Sequence, residues 1–247
     1  MLESFNRFFA NQGLGADFSE VSSWARRQGH AFKRARDVEG FAIDGKLDGR
    51  AWRLEWGPAQ RPWITTNELR ARIELELPAD LQMLLVSKPL MEALEKQAFE
   101  QFTQTNTTEL GESTPEEMRW LVMFPKIEMR GMKTLRAHFG GVSSLPGDGP
   151  AWLEGPLAAA LLKASRRLLL YEPPFVLMTL RGRAYARLQL GSADADDVAE
   201  AIELFEIAAT QALRVAASRH EPRQDFTHTV TTVWQSLLPG RKDKPKG

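Results

Sequence analysis

The chain predicts an α+β fold built on one antiparallel sheet, and three observations carry that expectation. Residues 69–77 alternate without a fault, with Leu69, Ala71, Ile73, Leu75 and Leu77 on one face and Arg70, Arg72, Glu74 and Glu76 on the other. Side chains switch faces at every residue of a strand, so this is the pattern of a strand buried on one side. Just upstream, Trp52, Leu54 and Trp56 alternate with Arg53 and Glu55, behind an Asp48-Gly49 pair. Asp-Gly accepts the positive φ angles of a two-residue hairpin turn. Finally, Val198, Ile202, Phe205, Ala209, Leu213 and Ala216 recur at helical spacing over 195–219. The expected core is an antiparallel sheet of about four to six strands, a meander over 41–87 plus a hairpin over 175–190. Helices are expected mainly on one face.

Taken in order, residues 2–9 place Leu2, Phe5, Phe8 and Phe9 at helical spacing, as in a short amphipathic arm. Ser19 offers an N-cap for a helix to about Gln28, which Gly29 stops. A basic run follows, with Arg26, Arg27, Lys33, Arg34 and Arg36 interleaved with Trp24, His30 and Phe32. After the meander, 81–86 suits a fourth strand, and Pro89 opens a helix with Leu90, Met91, Leu94, Ala98 and Phe102 along one stripe. Thr114-Pro115-Glu116-Glu117 reads as a capping box, so capping and the helix dipole account for both glutamates. The stretch FGGVSSLPGDGPAWLEGP, 139–156, is rich in glycine and proline and reads as a connector. A buried helix over 157–170 comes next, then FVLMTL, an Arg181-Gly182 turn and the strand 184–190. Ser192 and Asp194 offer caps for the long helix.

The expected organisation is an N-terminal helical arm, 1–36, and a single α+β core, 37–219, with a sub-boundary at 139–156. An amphipathic segment with a basic disordered tail, 220–247, completes it. LDGRAWRLEWG (47–57) and LRGRAYARLQLG (180–191) echo each other. Aligning them needs one inserted residue near Ala186, and a bulge there would keep Leu188 and Leu190 on the side of Tyr185.

Composition narrows function. Hydrophobic residues make up 43% of the 247, so a sizeable core can form unaided. Thirty-two basic residues balance thirty-two acidic ones, which argues against nucleic acid as the partner. The absence of cysteine removes disulfides, thiolate metal sites and cysteine nucleophiles. No run reaches the roughly 18 apolar residues of a membrane span. The opening MLESFNRFF has no basic start and apolar run, so a cytoplasmic location is expected.

No catalytic residue, metal ligand or cofactor is expected. The glycine-rich connector lacks the ending of a phosphate-binding loop and the Gly-x-Ser-x-Gly of a nucleophile elbow. Ser143 or Ser144 beside His138 is the nearest approach to a nucleophile, and HEPRQDFTH (220–228) to a zinc site, but the latter matches no ligand spacing. Candidate partner-binding residues are Arg53, Arg70 and Arg72 on the polar face of the sheet, Trp63 in the loop beside them, and Trp234 in the C-terminal segment. Tyr185 and Arg187 are expected on that same face. The leading function is a non-enzymatic binding or scaffolding protein with a protein partner or a second copy of itself. One alternative is a small-ligand carrier or enzyme with a cavity between the sheet and helix 195–219, lined by Trp52, Trp56, Phe175 and Phe205. A weaker one is nucleic-acid binding through the basic run 26–36.

Overall fold

The computed structural model describes residues 16–105 and 115–220. Among them eight strands form one sheet: β1 (Ala31–Arg34), β2 (Phe41–Leu47), β3 (Arg50–Pro58), β4 (Asn67–Glu74), β5 (Met83–Ser87), β6 (Phe139–Ser143), β7 (Phe175–Leu180) and β8 (Arg183–Gln189). They lie in the order β1-β2-β3-β4-β8-β7-β5-β6, antiparallel throughout. The α+β class and the antiparallel sheet hold, but the sheet has more strands than the four to six expected.

Both tight hairpins turn where the sequence places them. Asp48 and Gly49 have φ of 47° and 82°, and Arg181 and Gly182 have φ of 50° and 81°. Two consecutive positive φ values match the right-handed twist of the strands they join. The second hairpin does not extend the meander at its end. It inserts β8 and β7 between β4 and β5, so two strands separate the 81–86 strand from the strand that precedes it in sequence.

The two additional strands are the sheet's edges. β1 falls inside the basic run, where Lys33 and Arg34 hide its period. β6 falls inside the glycine-rich stretch read as a connector. Its glycines are demanded by packing: a Cβ on Gly140 would sit 2.2 Å from the Met91 sulfur, and one on Gly141 would sit 2.3 Å from the Leu84 carbonyl oxygen. The bulge expected near Ala186 is absent. β4 and β8 pair in unbroken register from Glu68↔Gln189 to Glu74↔Arg183. Tyr185 therefore faces away from Leu188, whereas its counterpart Trp52 faces the core, so the two hairpins place their shared motif on opposite faces.

Among the described residues seven helices flank the sheet: α1 (Ser19–Arg27), α2 (Lys88–Thr105), α3 (Glu116–Met123), α4 (Lys133–His138), α5 (Asp148–Leu153), α6 (Pro156–Ala164) and α7 (Ala195–His220). Asp194, rather than Ser192, caps α7, its carboxylate accepting the Asp197 N–H at 2.7 Å. Five helices, α1 and α4 to α7, bury one face of the sheet. Between β3 and α7 the side chains join one hydrophobic cluster. Trp52, Trp56, Phe175 and Phe205 are all buried, and the Trp52 indole donates to Glu206 Oε1 at 2.7 Å. The lining named for a cavity there is part of a packed core.

Among the described residues the other face is covered only in part, by two helices against five. α2 and α3 pack Leu90, Met91, Leu94, Met118 and Leu121 onto Leu84, Val86, Val142, Val176 and Met178. Helix 88–105 thus lies opposite α7, not beside it. The reason is in the strands. β5 and β7 read MLLVS and FVLMTL and bury residues on both faces. A strand apolar on both sides needs a layer on each. β3, β4 and β8 carry charged or polar side chains at alternate positions, and there the second helical layer stops.

Candidate partner-binding face

On the uncovered half, the polar phase of five strands comes together. Register places Arg53 opposite both Asp44 and Arg72, Glu55 opposite Arg70, Arg70 also opposite Arg187, and Arg72 also opposite Tyr185. Arg53, Arg70 and Arg72 thus share one contiguous surface with Tyr185 and Arg187. Two of these cross-strand neighbours, Arg53↔Arg72 and Arg70↔Arg187, are like charges directly opposed, an arrangement that destabilises a sheet.

Carboxylates interleave with most of these cations. Arg53 donates to Glu55 at 2.7 Å and to Asp44 at 3.0 Å, and Arg70 donates to the other Glu55 oxygen at 2.9 Å. Arg183 pairs with Glu74 at 2.5 Å. Glu68, fully buried at 0% exposure, accepts from the Gln60 backbone N–H at 2.7 Å and from the Arg187 guanidinium. Arg72 is exposed and makes no ion pair among the described residues. Over the whole uncovered half Lys33, Lys46, Arg53, Arg70, Arg72, Arg183 and Arg187 outnumber Asp44, Glu55, Glu68 and Glu74. The balance of the whole chain conceals this local excess.

Burial works to raise the Glu55 pKa, but hydrogen bonds from Arg53 and Arg70 outweigh it and leave the carboxyl below its ordinary 4.5. A carboxylate depressed in this way stabilises the fold above its unfolded pKa, and that contribution is lost as pH falls through the folded value. Glu55→Gln should therefore lose less stability than the natural chain as pH falls below the ordinary carboxyl value of 4.5, measured as urea midpoints along that descent.

Trp63 lies in the loop joining β3 to β4, at the rim of this face. It is half-buried, packed against the cluster under α2 and α3, and its indole nitrogen is buried without a hydrogen-bond partner. Its neighbour Arg61 reaches Glu117 of α3 at 3.1 Å. Glu117 is fully buried, and α3 has no side-chain cap, so capping does not explain this glutamate. It ties the loop to the second helical layer. The sequence pattern assigned Glu117 to capping and did not single out Glu68. For Glu68 a signal existed, since it extends the polar phase of Arg70, Arg72 and Glu74 by one step.

The remaining candidates fall elsewhere. Trp234 and residues 221–228 of HEPRQDFTH lie outside the described residues. His138 Nδ1 is 2.8 Å from Glu172, while Ser143 and Ser144 donate to the carbonyls of Leu145 and Asp80, so the histidine and the serines serve different contacts. In the basic run, Trp24 and Phe32 pack against the core and His30 rests edge-on against Trp52 at 4.9 Å. Its aromatics are turned inward, away from any base they would stack on.

Two depressions open on the uncovered half. One, about 230 Å³, is lined by Arg53, Glu55, Gln60, Arg70, Arg72, Tyr185 and Arg187. The second, about 520 Å³, is lined by Asp44, Trp52, Arg53, Arg72, Glu74 and Arg183. Arg53 and Arg72 line both.

Comparison with protein-family models and with curated proteins returns no match. Among solved structures, the crystal structure of the mycobacterial trehalose monomycolate transport factor A, TtfA, superposes on 79% of this chain and 93% of its own, with a TM-score of 0.45 and 9% sequence identity. Among the described residues, no helix is long and apolar enough to cross a membrane.

Proposed function

We propose that this chain is a non-enzymatic binding or scaffolding protein of the cytoplasm whose protein partner sits on the uncovered half of the sheet. One observation carries the reading. Two arginine pairs are held directly opposite each other, Arg53↔Arg72 and Arg70↔Arg187, on the half of the sheet that no helix covers among the described residues. A sheet that needed only to be soluble there would place opposite charges across its strands, each pair contributing about 0.2–1 kcal/mol. Arg53, Arg70 and Arg187 hold carboxylates of the sheet itself, but Arg72 has no ion pair among the described residues, and this supports a partner that supplies its counter-charge. The chain as a whole is balanced, so the cation excess on this face is set off against acidic residues elsewhere, which concentrates the attraction for an anionic partner here.

A photo-crosslinking amino acid placed at Gln60, an exposed residue on the rim, tests this inside cells. A parallel variant carries it at Arg166, which is exposed beside α6 in the helical layer. A discrete adduct from Gln60 and none from Arg166 is the expected result. Adducts from Arg166 alone would place the partner on the helices and overturn the reading.

A further inference from the structure

We propose that the uncovered half of the sheet takes the carboxylates of an acidic, extended protein segment, with Arg72 as the principal contact. This deepens the reading of that face as a partner surface and rests on it.

The four other arginines of this face already hold carboxylates. Arg53 has Asp44 and Glu55, Arg70 has Glu55, Arg187 has Glu68, and Arg183 has Glu74. Arg72 stands between them, opposite Arg53 on one side and Tyr185 on the other, with its guanidinium open to solvent. A guanidinium offers a rigid fork of N–H donors that matches a carboxylate.

Glu55 shows which ligand chemistry this surface accommodates. Each of its oxygens receives the Nε of a different arginine, Arg53 at 2.7 Å and Arg70 at 2.9 Å, so a carboxylate bridges two strands. A second carboxylate from outside would repeat the arrangement at Arg72. It would also relieve the repulsion between Arg72 and Arg53.

Shape and charge select among anionic partners. The smaller depression, about 230 Å³, lies below the roughly 300 Å³ at which sites for drug-sized ligands begin. It has room for a side-chain carboxylate and not for a nucleotide. The larger one has Asp44 and Glu74 in its wall. Nucleic acid presents a phosphate at every step of its backbone and would meet those carboxylates. A strand-like peptide sends alternate side chains to opposite sides, so acidic residues can meet the arginines while neutral ones pass the acids.

The test uses the full chain and fluorescence polarisation at low salt. The probes are a dye-labelled eight-residue peptide of alternating Glu and Ser, and its counterpart with Gln for Glu. Saturable binding of the Glu peptide alone is expected, weakened about tenfold by Arg72→Ala and unchanged by Arg166→Ala. Arg72 is exposed and faces a like charge, so its variant should melt no lower than the natural chain, which shows that the loss is local. Three results would overturn the proposal: no saturable binding, equal binding of the Gln peptide, or no effect of Arg72→Ala. Displacement of the peptide by inorganic phosphate at equal charge would overturn it too, by reassigning the site to a small oxyanion. Absence of peptide binding together with a Gln60 adduct removes the acidic ligand and leaves the partner surface standing. Loss of both removes both.

Discussion

Arg187→Ala is expected to destabilise the fold by about 3 kcal/mol, the low end of what breaking a buried ion pair costs. The cause is Glu68. Its carboxylate is fully buried under the loop that joins β3 to β4, and its partners are the Gln60 N–H, the Arg187 guanidinium and, at 4.0 Å, Arg70. Removing Arg187 strands a buried charge with one backbone N–H and a distant cation. Because Arg70 remains, the loss falls short of the largest values. In thermal melts a loss of this size lowers Tm by roughly 6–12 °C for a domain this large. The Glu68→Leu/Arg187→Leu double variant should recover most of that stability, since replacing both partners leaves no orphaned charge. A double variant as unstable as Arg187→Ala would mean that the site owes its stability to shape and not to the pair.

Trp52→Ala should cost about 3–5 kcal/mol, the range for deleting a large aromatic side chain from a core. Trp52 is 2% exposed and lies where β3, α1 and α7 meet. Its ring occupies the space beside Gly45 on the neighbouring strand, where a Cβ would come within 2.2 Å of the ring. Truncation leaves that cavity unfilled and takes away the donor to Glu206. Trp52→Phe keeps most of the volume and should lose markedly less. A denaturant midpoint that moves equally for both variants would show that the indole–Glu206 hydrogen bond, and not packing, holds this corner.

These residues also mark how far the sequence could be read. The alternation through Trp52–Trp56 and Leu69–Leu77 identified the strands, their buried face and the arginines opposite because a one-sided strand writes its environment into every second residue. β1 and β6 were hidden for opposite reasons. β1 is four residues long, and its exposed Lys33 and Arg34 resemble a solvated charge run. β6 needs Gly140 and Gly141 to let Met91 and the Leu84 carbonyl approach, and glycine pairs resemble a turn. The second helical layer was legible in principle, since MLLVS and FVLMTL have no polar phase at all. What pattern cannot supply is strand order. The insertion of β7 and β8 beside β4 is a long-range choice, and it is this choice that sets Arg187 opposite Arg70 and Tyr185 opposite Arg72. Arg53, Arg70 and Arg72 were therefore readable as a face. The opposed arginine pairs, the buried Glu68 and the open Arg72 appear only with the register.

Arginine labelling gives the most direct measurement of the central claim, that the uncovered half of the sheet is the partner surface. The purified chain and the same chain in extract of its own cells would be treated with phenylglyoxal and compared by peptide mass spectrometry, with Arg166 on the helical side as reference. The structure predicts that Arg72 and Arg53 lose reactivity in extract while Arg166 keeps it. Equal labelling of Arg72 in both samples, or protection confined to Arg166, would contradict it.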